Sequence, residues 1–117
     1  MDSYAFVVKG GKNMLNQEDN ELNNKNKIGL GNVLRLLRIA RDMQTKELAA
    51  RMNVSSTYIS EVESNNKKPS LNTLSKYSEA LDVSKSTILY FEEESKKKGY
   101  NNQRLLFEIL KKIIETE

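Results

Sequence analysis

The sequence predicts an all-α fold. Apolar residues recur at intervals of three or four along most of the chain, a spacing that places them on one face of a helix. Ser55, Ser70 and Ser84 each precede such a stretch, and a serine at that position caps a helix by accepting a backbone N–H. A chain of 117 residues holds one domain with a modest core and some appended sequence. We therefore expect a small helical bundle with an extension at each end.

Composition excludes several classes of function. The chain contains no cysteine and no histidine, which excludes disulfides, Cys/His metal sites and His-dependent catalysis. No apolar run approaches the ~20 residues that cross a bilayer, and the N-terminus lacks a signal-peptide pattern. We expect a cytoplasmic protein without a cofactor. No nucleophile–base pair or carboxylate cluster favours an enzyme.

The net charge of +3 comes from one part of the chain. Residues 1–27 carry four basic and four acidic side chains, and residues 70–117 carry eight of each. Residues 28–69 carry seven basic and four acidic side chains, so the whole surplus lies there. A positive surplus in one segment is weak support for a polyanionic partner of that segment.

Residues 1–27 predict a poorly ordered arm. Six asparagines interrupt any hydrophobic period, and Gly10-Gly11 forms a flexible joint. The exception is a short apolar, β-prone run, Tyr4-Ala-Phe-Val-Val8. Two interpretations remain open: the arm docks onto a partner or onto the domain, or it has no role.

The first helix is expected to begin within residues 28–31 and to end near Arg41. Leu30, Leu34 and Leu37 form its inward stripe. A second apolar stripe consists of Val33, Leu36, Ile39 and Ala40. This stripe belongs either to a generous core or to a contact with another element, the C-terminal helix or a second subunit.

Residues 45–64 predict two short helices joined by a tight turn. Asn53 tolerates the left-handed conformation that such a turn needs, and Ser55 can cap the second helix. In that second helix Ile59 and Val62 point one way, whereas small polar side chains point the other way. A small polar face lets a helix approach a flat partner closely, as a recognition helix does in the major groove. The alternative is a solvated helix without a partner.

Five blocks of this sequence resemble the Cro/C1-type (XRE) helix-turn-helix family, in the family's order and spacing over about residues 28–91. The blocks are Leu30–Arg38, Met43–Ala49, Val54–Glu63, Pro69–Leu74 and Ala80–Ser84. The resemblance implies a five-helix, lambda-repressor-like DNA-binding bundle. It divides the chain into an N-terminal arm (1–27), the helix-turn-helix domain (28–91) and a C-terminal extension (92–117).

The resemblance also implies which residues contact DNA. Base contacts are expected from Ser55, Ser56, Thr57, Ser60 and Glu61. Phosphate contacts are expected from Arg38, Gln44, Thr45, Tyr58, Asn66, Lys67 and Lys68. Arg38 and Glu63 resemble a buried pair that fixes the recognition helix against the first helix, so structural support is the expected primary role of both.

Three departures from the family pattern change these expectations. The family usually has Ser or Thr as the cap, followed by Gln, and this chain has the reverse order, Gln44-Thr45. Either Thr45 therefore caps a helix one residue shorter, or Gln44 caps the helix poorly. Glu61 occupies a position where many relatives have Arg, Lys or Gln. A carboxylate there can accept a hydrogen bond from cytosine, but it repels phosphates. Asp or Asn replaces glycine at helix ends and should adopt the left-handed conformation: Asp42, Asn53, Asn65 and Asp82.

The fourth and fifth helices follow from the caps at Ser70 and Ser84. The side chains expected to face the core are Leu71, Leu74, Tyr77, Ala80 and Leu81 in the fourth helix, and Ile88, Leu89 and Phe91 in the fifth. The fifth helix should continue to Gly99 through three i,i+4 pairs: Glu92–Lys96, Glu93–Lys97 and Glu94–Lys98.

A last helix is predicted after Asn101 or Asn102. Its broad apolar stripe consists of Leu105, Leu106, Ile109, Leu110, Ile113 and Ile114. A helix this short is marginal alone in water, so it must bury that stripe. Three sites are available: a second subunit, the chain's own first helix, or a regulatory protein. Dimerisation is the expectation, and docking on the first helix comes next.

The resemblance and the residues together predict a dimeric repressor that reads a palindromic double-stranded operator through the major groove. The alternative is a protein-interaction module of the same fold, antirepressor-like or antitoxin-like, with weak or no DNA binding. Glu61, the modest charge and the apolar last helix keep this alternative open.

Overall fold

The computed structural model describes residues 28–116, which form six α-helices and no strand within that range. The helices are α1 (Leu30–Ala40), α2 (Thr45–Met52), α3 (Ser56–Glu63), α4 (Leu71–Leu81), α5 (Lys85–Lys98) and α6 (Asn102–Thr116). The expectation of five helices plus a C-terminal one is therefore confirmed. The arm expected at residues 1–27, with its apolar run at 4–8, lies outside the described residues.

Local side-chain chemistry sets the helix boundaries. The hydroxyls of Ser55, Ser70 and Ser84 each accept the backbone N–H three residues further on, as their cap positions predicted. The four residues predicted to be left-handed, Asp42, Asn53, Asn65 and Asp82, all have φ between 55° and 66°. Gly99, with φ 65°, ends α5.

α1 forms the centre of the bundle and packs against α3, α4, α5 and α6. Its inward residues Leu34 and Leu37 are fully buried. From the second stripe, Val33 and Leu36 are buried as well, whereas Ile39 is 40% exposed. Most of both stripes therefore belongs to the core.

Two leucines that were expected in the core are exposed instead. Leu71 is 80% exposed because it is the first residue of α4, one turn before the first buried position, Leu74. Leu89 is 45% exposed because it follows Ile88 directly, and adjacent helical residues point about 100° apart. The buried face of α5 runs instead through Ile88, Phe91 and Ser95.

α5 carries two of the three predicted surface ion pairs. Glu92 and Lys96 lie 3.2 Å apart, and Glu94 and Lys98 lie 3.0 Å apart. Glu93 and Lys97 have the same spacing but form no ion pair in the described part of the chain. Among residues 28–116, no helix has the length and apolar character needed to cross a bilayer.

α6 docks on its own domain, against α1 and α5. Leu105 and Ile109 are fully buried in the core, so the expectation that these two side chains meet a second subunit is replaced by packing within the chain. Leu106 and Ile113 are half-buried against the same core. The side of α6 that remains exposed carries Phe107, Leu110 and Ile114.

Candidate nucleic-acid interface

α2 and α3 form the tight pair predicted for residues 45–64. Gln44 occupies the cap position of α2 with extended backbone, φ −86° and ψ 160°, and its side chain makes no capping hydrogen bond. Of the two alternatives for this helix start, the poorly capping Gln44 is therefore the one observed. At the other end, Asn53 is left-handed, and the Val54 N–H donates to the Ala49 carbonyl at 3.0 Å. This turn directs the chain into α3.

Within residues 28–116, no segment covers the outer face of α3. Ser55, Ser56, Thr57 and Ser60 are exposed, while Ile59 and Val62 on the opposite side are buried. The structure brings Ser56, Thr57, Ser60 and Glu61 to one side of the helix, since their positions fall within about 140° around its axis. α6 packs on α1 and α5 and leaves this face clear.

Ser55 is already engaged as the cap of α3. Its hydroxyl oxygen accepts the Tyr58 N–H at 3.0 Å. The hydroxyl hydrogen remains a donor that can point outward, so Ser55 can give one hydrogen bond to a partner without losing the cap.

The loop between α3 and α4 folds back against the end of α3. The backbone N–H groups of Asn66 and Lys67 both donate to the Glu61 carbonyl, at 2.9 and 3.1 Å. Asn66, Lys67 and Lys68 are exposed as a result, next to the polar face of α3. At the start of α2, Gln44 is exposed and Thr45 is half-buried.

Glu61 has a cationic partner that sequence analysis did not identify. The Lys67 ammonium lies 3.4 Å from the Glu61 carboxylate and 5.8 Å from the centroid of the Tyr58 ring. The turn after α3 brings the two charges together, although they are six positions apart. Both side chains are more than 40% exposed, so the pair stabilises the fold little and can exchange partners.

Arg38 and Glu63 form the pair that their resemblance to the family implied. The Arg38 guanidinium donates to both carboxylate oxygens of Glu63, at 2.7 and 3.0 Å, and to the Met43 carbonyl at 2.8 Å. The Glu63 contact raises the pKa of Arg38 above its usual value. Because the two side chains are only 13% and 8% exposed, this pair ties α1 to the end of α3 from within.

Gly31 and the Asn65 side chain are positioning residues that sequence analysis missed. A Cβ at Gly31 would lie 2.2 Å from the Val62 carbonyl oxygen, so only glycine allows α1 to approach α3 this closely. Asn65 accepts the Gly31 N–H at 2.9 Å and donates to Asn32 at 2.9 Å. The sequence showed Asn65 only as a helix end, and its contact across 34 positions had no local signal.

The described residues offer no metal site of the usual kind: within residues 28–116, no three acidic side chains form a group that could hold an ion. The polar face of α3 and the loop that follows it instead carry exposed, mostly short polar side chains with two lysines, and the start of α2 adds the exposed Gln44 and the half-buried Thr45. This arrangement can give hydrogen bonds to base edges and charge contacts to phosphates.

Comparisons with known proteins agree with this geometry. A helix-turn-helix family model matches residues 34–88. Among solved structures, the chain is similar to the clp gene regulator ClgR from C. glutamicum, at 33% sequence identity and a TM-score of 0.55. That match covers 56% of this chain and 86% of the ClgR chain. No curated protein matches the chain significantly.

Proposed function

Since the chain belongs to the Cro/C1-type helix-turn-helix family of DNA-binding regulators, we propose that it is a sequence-specific repressor that binds a palindromic operator as a dimer. The observation that carries this proposal is the exposed row of short polar side chains on α3, with no part of the described chain lying over it. The naming of the solved relative as a gene regulator supports the same class.

In this proposal α3 enters the major groove and reads base edges. Serine and threonine hydroxyls donate or accept toward several bases, and the methyl group of Thr57 contacts a thymine methyl. The Glu61 carboxylate accepts a hydrogen bond from the amino group of a cytosine. On binding, Lys67 turns from the Glu61 carboxylate to a phosphate, and its positive charge offsets part of the repulsion between that phosphate and Glu61. Short side chains discriminate modestly, so the shape of the operator supplies part of the specificity.

Phosphate contacts flank the reading helix on both sides. At one edge stand Asn66, Lys67, Lys68 and the Tyr58 hydroxyl. At the other edge, Gln44 and Thr45 begin α2, whose first backbone N–H groups and partial positive charge favour an anion. Arg38 contributes mainly by holding Glu63, and it can reach a phosphate only with the guanidinium N–H groups that are not already bonded. These contacts set the orientation of the protein on the duplex.

The dimer would place two copies of α3 about 34 Å apart, one helical turn of DNA. The surface we propose for the partner is the exposed side of α6, Phe107, Leu110 and Ile114, since Leu105 and Ile109 are committed to the core. Repression then follows from occupancy, because a bound dimer excludes polymerase from the promoter. The protein would act in the cytoplasm, without catalysis.

A second candidate is a protein-interaction module with weak or no DNA binding. The exposed apolar side of α6 favours it, since that surface suits a regulatory protein as well as a second copy. Binding to a random duplex across a range of salt concentrations separates the two. A DNA binder weakens steeply with salt, whereas a protein-only module does not bind at any salt.

The base contacts are tested by selecting bound sequences from a random duplex pool with the wild-type protein, Ser56→Ala and Thr57→Ala. We expect each variant to relax the selected sequence at one or two positions and to weaken binding about fivefold or more, since a good base contact discriminates by about 1–3 kcal/mol. Ser86→Ala, which removes an exposed hydroxyl from α5, is the matched control and should select the wild-type sequence. If Ser56→Ala and Thr57→Ala also select it with unchanged affinity, α3 does not read these bases.

A further inference from the structure

A cavity of about 200 Å³ lies where α6 crosses α1 and α5, next to the turn between α4 and α5. Its apolar lining consists of Leu37, Val83, Phe91, Ile109 and Ile113. An apolar cavity of ~150 Å³ accepts a benzene-sized molecule, so this one has room for a ring or a branched chain of similar size. Ile109 and Ile113 belong to α6, which lies outside the segment that the family model matches.

Two cations, Arg41 and Lys112, line this cavity, and neither forms an ion pair among residues 28–116. Arg41 is held in place because its Nε donates to the Leu81 carbonyl and its Nη2 donates to the Asp82 carbonyl, both at 2.9 Å. Its remaining N–H groups have no acceptor in the described part of the chain. Lys112 forms no ion pair among residues 28–116. Asp82 also lines the cavity, but its carboxylate lies beyond ion-pair distance of both cations.

The hydroxyls at the edge are occupied. Ser84 caps α5 by accepting the Thr87 N–H at 3.1 Å, and the two hydroxyl oxygens lie 2.8 Å apart. They therefore offer little to a neutral polar molecule. The lining therefore offers a ligand apolar surface and two positive charges, which is the pattern of a small-molecule pocket with few polar anchors.

We propose that this cavity binds a small monocarboxylate with an aromatic or branched apolar part. The apolar part lies against Val83 and Ile113, the lining residues whose side chains are only half-buried, and the carboxylate faces Arg41 and Lys112. A guanidinium fixed by two carbonyls is well placed for a charge-assisted hydrogen bond to a carboxylate. A bound molecule would link α6 to α1 and the α4–α5 turn, and it would stabilise the docked position of α6. This inference does not depend on DNA binding.

The test uses benzoate as the probe, followed by NMR on the full chain. We expect saturable shifts with intermolecular NOEs from the ring protons to the Val83 and Ile113 methyl groups. Benzamide, the neutral counterpart, should bind about tenfold more weakly because it lacks the charge-assisted contacts. Absence of saturation at millimolar benzoate, NOEs to other methyl groups, or equal binding of benzamide would each overturn the proposal.

Lys112→Gln tests the charge at the edge. We expect this variant to weaken benzoate binding about threefold to tenfold, with the fold unchanged, since the side chain is exposed. Lys111→Gln removes the same charge from the adjacent position of α6, whose ammonium lies 3.8 Å from Glu108, and it should leave benzoate binding at the wild-type level. Equal weakening by the two variants would mean that net charge, not this site, attracts the anion.

Discussion

At the scale of single residues, the position of α3 depends on a partly buried ion pair. Glu63 receives two hydrogen bonds from Arg38, which also donates to the Met43 carbonyl, so one guanidinium joins α1, the start of α2 and the end of α3. With Glu63 only 8% exposed, water can replace little of this bonding. Loss of one partner leaves the other charge poorly solvated.

Glu63→Gln should therefore destabilise the protein by about 1–3 kcal/mol, because the neutral amide cannot compensate the Arg38 charge. Glu47→Gln is the matched control. It removes a carboxylate 2.9 Å from Arg51 on the surface of α2, where both side chains are about half exposed, and should cost about 0–0.5 kcal/mol. Urea unfolding followed by circular dichroism measures both. Equal losses would show that the Arg38–Glu63 pair is no stronger than a surface pair.

Tyr77 is the second residue with a distinctive environment. It is fully buried, and its hydroxyl has no hydrogen-bond partner in the described part of the chain. Burial, and then the nearby Glu63 carboxylate, raise the pKa of Tyr77 well above its ordinary value of 10.0. The folded state thus keeps the proton of Tyr77 at a pH where the unfolded chain has lost it. The stability that this group contributes is fully present below pH 10.0 and is lost as the pH rises above that value.

Tyr77→Phe should weaken the alkaline loss of stability. Near neutral pH we expect the free energy of unfolding to stay the same or to rise by up to about 1 kcal/mol, since no hydrogen bond within residues 28–116 is lost. At pH ~11 the free energy of unfolding of the variant should exceed that of the wild type by more than it does at pH 7. Tyr90→Phe changes a side chain that is 54% exposed, and it should leave the loss of unfolding free energy between pH 7 and pH ~11 as it is in the wild type. Urea unfolding of the wild type and both variants at the two pH values measures these differences.

At the scale of helices, α6 has two apolar sides, of which one is buried and the other is exposed. Leu105 and Ile109 complete the core that α1 and α5 leave open, whereas Phe107, Leu110 and Ile114 face solvent. A 15-residue helix is marginal alone in water, so its buried side is what keeps it folded. The exposed side is then available for a partner without undocking the helix.

Ile109→Ala and Ile114→Ala separate the two sides of α6. The first removes a fully buried side chain and should cost about 2–4 kcal/mol of unfolding free energy. The second truncates a side chain that is 72% exposed and should change stability by less than about 0.5 kcal/mol. Thermal and urea unfolding report both values. A small loss for Ile109→Ala would mean that α6 spends much of its time away from the domain in solution.

At the scale of the whole molecule, the positive surplus coincides with the candidate interface. The seven basic and four acidic side chains of residues 28–69 include Lys67 and Lys68 beside α3. Arg38, Arg51 and Lys67 already have carboxylate partners in this segment. Lys68 forms no ion pair in the described part of the chain and is exposed, so its charge can go to a phosphate without breaking another contact.

Lys68→Gln should reduce the steepness of the salt dependence of DNA binding. The slope of log affinity against log salt concentration should become shallower by about 0.9, the value for one phosphate contact, with similar weakening on every sequence. Lys97→Gln is the control, since Lys97 is exposed on α5 and also lacks an ion pair among the described residues. Fluorescence anisotropy with a short duplex at several salt concentrations measures both. Equal slopes for wild type and Lys68→Gln would remove Lys68 from the interface.

Features that depend on near neighbours in the chain were predictable. The caps at Ser55, Ser70 and Ser84 and the left-handed Asn and Asp residues follow from the chemistry of a few adjacent positions, and the structure has all of them. Helical periodicity correctly assigned Leu34, Ile59 and Ile88 to the core. The same rule failed at Leu71, which begins α4 one turn before its first buried position, and at Leu89, which points about 100° away from the buried Ile88.

The sequence alone thus determined the six helices and most of their boundaries, and resemblance to a family named α3 as the helix expected to contact DNA. Only the tertiary structure decided that α6 buries Leu105 and Ile109 against its own domain, that Lys67 reaches Glu61, and that Gly31 meets the end of α3. The physical reason is the range of the interactions. Backbone hydrogen bonds and caps join residues a few positions apart, whereas packing joins surfaces distant in sequence, and an apolar stripe is equally compatible with any apolar partner.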